Sequence, residues 1–133
     1  MIKLLLSWIL VGSSLSAAVV VQWEKDIKSA IAKSNKEHKP LMVVVTKYGC
    51  KWCDVLKKNT LENSNVVKVL NRDFVSYEGI VDEGTVPPSL MTPGTPGTWF
   101  LKGNQPMFAP VMGAVKAEDF MDALETVKKE YAK

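Results

Sequence analysis

Two cysteines, the only two in the chain, stand three residues apart in Cys50-Lys51-Trp52-Cys53, where an apolar run gives way to an amphipathic one. That junction constrains the fold more than any other stretch. The run before it, Leu41-Met42-Val43-Val44-Val45, is short and β-branched, as expected of a buried strand of the parallel-sheet kind. After it, Cys53, Leu56 and Thr60 recur at helical spacing, while Asp54, Lys57 and Lys58 are left for solvent. A strand is thus expected to deliver the pair to the first turn of a helix, with both sulfurs on one face and close enough to bridge.

That placement suits dithiol redox chemistry. Unpaired backbone N–H groups and the positive end of the helix dipole favour a thiolate at Cys50, and Lys51 and Lys47 add positive charge nearby. Cys50 is the expected attacking sulfur. Cys53, one helical turn deeper, is the expected resolving thiol, which attacks the mixed disulfide formed between Cys50 and a substrate. Other uses of the pair fit less well. A purely structural staple closing so short a loop gains only roughly 2 kcal/mol. Zinc wants four ligands, and the chain offers two cysteines and the lone His38 before carboxylates are recruited. A c-type haem needs His after the second cysteine, where Asp54 stands. Cu(I) suits a thiol pair and six methionines are present, but they are scattered as core filler is. His38 falls in a polar connector and is read as solvated, with no catalytic role. No metal and no cofactor are expected.

The chain opens with a short basic end, an apolar run from Leu4 to Val11 and a small, uncharged stretch. Residues 1–18 therefore have the three parts of a secretory signal peptide, with Ser14-Leu15-Ser16 or Ser16-Ala17-Ala18 as the cleavage site. An uncleaved anchor is the rival reading, because with Val19 to Val21 the apolar run nears the length of a membrane span. Either way, residues 19–133 are expected to form one domain working outside the cytoplasm. A formal charge of +3 is too mild to argue for nucleic acid or a membrane surface.

Trp23, Ile27, Ala30, Ile31 and Ser34 predict an amphipathic helix over residues 22–35. Asn63-Ser64-Asn65 offers caps for a short helical piece through Val66, Val67 and Leu70. Residues 74–81 read as a second strand, parallel to the first through a right-handed crossover. Residues 82–97, rich in proline and glycine, form a loop with one helical turn at Ser89-Leu90-Met91. A hairpin follows, from residues 98–101 around Lys102-Gly103-Asn104-Gln105 to a return strand at 107–112, which Pro110 places at a sheet edge. Phe120, Leu124, Val127 and Tyr131 predict a last helix over residues 116–131.

This order of elements resembles the thioredoxin fold, an α/β architecture with a central mixed sheet flanked by helices. The resemblance runs from Trp23 to the C-terminus. It rests on Cys50-Lys51-Trp52-Cys53, on the turn Gly94-Thr95-Pro96-Gly97-Thr98 and on the strand-Gly-helix ending. It implies that Pro96 rather than Pro93 is the cis proline facing the cysteines, and that the Thr95 backbone pairs with a bound substrate peptide. Trp52, Thr95 and Pro96 are then the expected substrate-binding residues. More closely, Cys50 to Leu56, Asn71-Arg72-Asp73-Phe74-Val75 and Val81-Asp82 resemble a bacterial branch with a Cys-x-Trp-Cys site. Its exported members are periplasmic thiol-disulfide proteins kept reduced by a membrane electron carrier.

Two departures matter. Gly49 precedes the first cysteine and Lys51-Trp52 separates the pair, where thioredoxin has Trp and Gly-Pro. The buried aspartate that relays a proton to the second cysteine of thioredoxin is matched here by Val44. Glu78 falls roughly where thioredoxin has a strand lysine, and is the expected proton acceptor for Cys53. The sequence reading is thus a monomeric periplasmic thiol-disulfide oxidoreductase acting on protein substrates, with a membrane electron-transfer partner. Reduction is the favoured direction, because the chain lacks the large helical insertion of disulfide-forming oxidases and the dimerisation domain of isomerases. A disulfide-forming oxidant, or a Cu(I)- or partner-binding module of the same fold, is the alternative.

Overall fold

The computed structural model describes residues 19–133, so the leader expected over residues 1–18 lies outside the described residues. At the centre is β1 (Leu41–Thr46), buried along its whole length. A strand covered on both faces must be apolar at successive positions, and this one is. Met42 and Val44 face a core with Leu56 of α2 (Lys51–Asn59), Val66, Val67 and Leu70 of α3 (Ser64–Asp73), and Phe120, Leu124 and Val127 of α4 (Ala117–Tyr131). Leu41, Val43 and Val45 face the other way, against Ala30 of α1 (Ile27–Glu37) and Leu90.

β2 (Val75–Ile80) pairs with β1 in parallel and β3 (Gly97–Lys102) pairs with it antiparallel, so that Val44 lies between Glu78 and Thr98. The sheet order is β2-β1-β3-β4, with β4 (Gln105–Pro106) and β5 (Val111–Met112) both on the outer side of β3. The result is the helix-flanked mixed sheet that the resemblance implies.

Three local features differ from the sequence reading. The first helix starts at Ile27 rather than at residue 22, because Asp26 takes the N-cap and accepts from the Ser29 N–H at 2.7 Å. Trp23 instead lies in an extended lead-in that bridges Ser76 at the outer edge of β2, where the Glu24 N–H donates to the Ser76 carbonyl at 2.8 Å. At the far end His38, exposed as expected, closes the helix in the left-handed conformation (φ 53°). The short helical piece after α2 proves to be a ten-residue helix, with the Asn63 side chain accepting from the N–H groups of Asn65 and Val66.

The return strand expected over residues 107–112 is broken. Lys102 pairs with Gln105 and Leu101 with Pro106, whereas Thr98 pairs with Val111 and Gly97 with Met112, a slip of two residues in register. The prolines at 106 and 110 explain the break, since neither can donate to the ladder. Met107 donates to the Phe100 carbonyl at 2.8 Å, and residues 108–110 leave the sheet.

Where α3 meets α4, the Asp73 carboxylate lies 2.8 Å from the Arg72 guanidinium and 3.0 Å from Lys128 Nζ. The Arg72 hydrogen bond first, and Lys128 after it, hold the carboxyl below the usual value of 3.8, against the opposing effect of partial burial. A depressed folded-state value means that this contribution is complete above the unfolded value and is lost as pH falls through the lower, folded one. Thermal midpoints of the parent and Asp73→Asn are accordingly expected to differ at neutral pH and to converge below about pH 3.8. Scanning calorimetry across the acid limb checks this.

Candidate active site

Leaving β1, the chain runs through Lys47, Tyr48 and Gly49 before α2. Gly49 has φ +63°, a left-handed turn that a side chain would disfavour by roughly 1 kcal/mol. The turn sets Cys50 at the N-cap of α2, with extended backbone (φ −94°, ψ 103°) and its sulfur accepting from the Cys53 N–H at 3.1 Å. The two sulfurs are joined in a disulfide, with Cα atoms 5.2 Å apart. Cys50 keeps 7% of its surface and Cys53 2%, so the first cysteine is the less deeply buried of the two.

Facing Cys50 is the turn that leads into β3. The Thr95–Pro96 peptide is cis, the Thr95 hydroxyl donates to Cys50 Sγ at 3.3 Å, and the Thr95 carbonyl oxygen lies 3.7 Å from the same sulfur. Antiparallel pairing of β3 with β1 brings these distant residues together. Gly97 is required directly after the proline, because a Cβ there would lie 2.6 to 2.9 Å from the Thr92 side chain. When the disulfide opens, the same N–H and hydroxyl are placed to stabilise a Cys50 thiolate.

Trp52 is 58% exposed, two residues past Cys50, with Lys51 Nζ 5.5 Å from its ring centroid. Tyr48, two residues before Cys50, is also exposed, as are Met91 and Met112. Met112 pairs with Gly97 across the ladder, beside the cis proline. Tyr48, Trp52 and Met112 are thus exposed apolar or aromatic side chains on the segments that adjoin the disulfide.

Glu78 is half-buried on the α2 side of the sheet. It accepts from the Thr46 hydroxyl at 3.2 Å and pairs with Lys57 Nζ at 2.6 Å, so its partners are these two residues rather than either cysteine. Lys57, read from the helical spacing as solvent-facing, lies one turn beyond Cys53 and reaches back over the sheet. A groove of about 270 Å³ lined by Val19, Val20, Trp23 and Leu61 opens onto this ion pair.

Two residues of the site's surroundings were not singled out from sequence as site residues. Asp82 accepts from the Tyr48 N–H at 2.7 Å, and Glu83 accepts from the Tyr48 hydroxyl at 2.9 Å. The signal for them is the parallel pairing itself: β1 and β2 end side by side at Thr46 and Ile80, so the residues that follow each must adjoin. Among the described residues, no group of three or more His, Cys, Asp or Glu is placed to hold a metal, and no helix is long and apolar enough to cross a membrane.

Solved structures share this arrangement of elements. A thioredoxin from Thermus thermophilus superposes with a TM-score of 0.68 at 21% identity, over 80% of this chain and 86% of its own. A protein solved as DsbH oxidoreductase gives 0.67 at 17% identity, over 92% and 94%. The DsbD C-terminal domain of Neisseria meningitidis, in reduced form, gives 0.60 at 22% identity, over 74% and 91%. At such identities the likeness establishes the fold, which is that of thioredoxin. Human spermatogenesis-associated protein 20 is 32% identical over 58 residues, which are 44% of this chain but 7% of that protein. Its rat counterpart is 32% identical over 56 residues, again 7% of its length, so the chain spans under a tenth of the curated relatives it matches. The family described as Thioredox_DsbH, protein of unknown function, DUF255, matches residues 14–88, more than half of the chain and including both cysteines, β1, β2 and the Asp82–Glu83 turn; the chain belongs to that family.

Proposed function

We propose that the protein is a thiol-disulfide oxidoreductase that reduces disulfides of exported proteins in the periplasm, as a monomer. The observation that carries the reading is the surroundings of Cys50 Sγ: a helix N-cap, the Cys53 N–H at 3.1 Å and the Thr95 hydroxyl at 3.3 Å, opposite a cis proline. In the reduced protein the Cys50 thiolate attacks one sulfur of a substrate disulfide. A mixed disulfide forms, and the other substrate sulfur leaves as a thiolate and takes up a proton. Cys53 then loses its proton and attacks Cys50 Sγ, expelling the second substrate thiolate. Two electrons pass to the substrate and the Cys50–Cys53 disulfide remains, to be reduced again by a dithiol donor in the membrane. Trp52, Thr95 and Pro96 hold the substrate segment, Thr95 through its backbone. The leader-like residues 1–18 support export.

Glu78 takes the proton of Cys53 in the second step. Its half-buried place on the α2 side of the sheet, one helical turn along from Cys53 through Lys57, supports this role. Exchange with solvent then runs through the groove beside Trp23.

The dithiol form is expected to reduce insulin, and Cys50→Ser to abolish the activity. Cys53→Ser is expected to accumulate a mixed disulfide at Cys50, read by mass spectrometry after acid quench. Glu78→Gln is expected to slow resolution of a preformed mixed disulfide by about tenfold near neutral pH. An unchanged rate from about pH 5 to pH 9 removes Glu78 from the mechanism. Direction is set by the potential of the pair against a glutathione series. A value near about −270 mV is expected for an electron donor, and one near about −120 mV reassigns the protein as a disulfide-forming oxidant.

A further inference from the structure

We propose that Asp82 and Glu83 are positioning residues for Cys50: they brace the loop that presents it and hold down its thiolate fraction by setting negative charge against Lys47, Lys51 and the start of α2. The proposal rests on the reading of Cys50 as the attacking sulfur. β1 and β2 are parallel and end in register, Thr46 beside Ile80. From these ends run the lead-in to Cys50 and a single 3-10 turn, Val81–Glu83. Two hydrogen bonds lace them together, from the Tyr48 N–H to Asp82 at 2.7 Å and from the Tyr48 hydroxyl to Glu83 at 2.9 Å. The acidic turn is itself tied down, since the Thr85 hydroxyl oxygen accepts from the Ile80 N–H at 2.8 Å and the Gly84 N–H donates to the Val81 carbonyl at 3.1 Å.

Core packing does not account for the lacing. Tyr48 is 63% exposed, and Val81, Asp82 and Glu83 are exposed as well, so little apolar surface is covered. The phenol nevertheless turns to a carboxylate, and the Glu83 hydrogen bond lifts its titration above the usual value. What the brace holds is the backbone two residues ahead of Cys50. That spacing keeps the Tyr48 and Cys50 Cα atoms within about 7 Å, with the Asp82 carboxylate 2.7 Å from the Tyr48 amide nitrogen.

The charged and titratable side chains on the elements around Cys50 carry both signs. Lys47 and Tyr48 come from the lead-in, Lys51, Asp54, Lys57 and Lys58 from α2, Glu78, paired with Lys57, from β2, and Asp82 and Glu83 from the turn. The facing segment, Gly94-Thr95-Pro96-Gly97, carries no charge. Removing a negative charge at this range lowers a thiol's pKa and raises its thiolate fraction. A thiolate of lower pKa is also a weaker nucleophile. The combination gives a signature that a merely structural role lacks: faster reaction below the pKa and slower reaction on the alkaline plateau.

The experiment is the rate of Cys50 alkylation by iodoacetamide in the freshly reduced protein, from about pH 4 to pH 10. Asp82→Asn keeps an acceptor for the Tyr48 N–H and removes the charge, and the double variant Asp82→Asn/Glu83→Gln removes both charges. The double variant is expected to react about twofold faster than the parent at about pH 5 and about twofold slower at about pH 10, with crossing profiles, and Asp82→Asn to lie between. Profiles that superimpose on the parent's overturn the proposal, even where thermal midpoints fall, because the acidic turn is then a structural brace alone. Glu83→Gln on its own keeps the test open should Asp82→Asn fail to fold. Insulin reduction by the parent is measured in parallel. Shifted alkylation profiles without insulin turnover keep this inference and overturn disulfide reduction as the function.

Discussion

The site depends on one strand being covered from every side. β1 lies between a parallel and an antiparallel neighbour and is buried on both faces, so its direction and register leave no freedom in where its C-terminal end emerges. The parallel neighbour brings the Val81–Glu83 turn alongside, and the antiparallel one starts at Gly97, directly after the cis proline. Three segments distant in sequence thus converge at the point where the chain enters α2. A polar residue in the middle of β1 would have to be hydrogen-bonded in the core or disturb that register, and Val44 holds the centre with aliphatic packing.

Around this point the electrostatics pull in opposite directions. The helix start, the Cys53 N–H and the Thr95 hydroxyl all favour negative charge on Cys50. Asp82 and Glu83, hydrogen-bonded to Tyr48 in the lead-in, by our proposal oppose it. Stabilising the thiolate makes a disulfide more oxidising, whereas an electron donor needs the reverse. Acidic residues beside a helix N-cap are a direct way to moderate the first tendency without dismantling the helix that positions the sulfur.

What was legible in the sequence follows from how local each signal is. β1, the cysteine pair at a helix start and α4 could be read from composition and period alone, because core burial and helical spacing both leave their mark on neighbouring residues. The start of α1 could not, since Trp23 continues the helical period while Asp26, three residues on, ends it by capping. The return strand failed for a related reason: an apolar run with one proline reads as an edge strand, but two prolines force a shift of register. Lys57 looked like a solvent-facing residue of α2 and instead reaches over the sheet to Glu78. The Tyr48 contacts lay beyond local patterns, because they exist only once two strands are known to be parallel and to end together.

The interrupted partner of β3 also bears on how the sheet meets other molecules. A long open edge is a template on which foreign strands can add. Here the lead-in bridges one edge at Ser76, and the other edge is divided into two short pairings separated by residues 108–110. Neither side offers an unbroken row of free amides and carbonyls. On the proposed function, this shields the protein from annealing to a substrate chain through its own backbone.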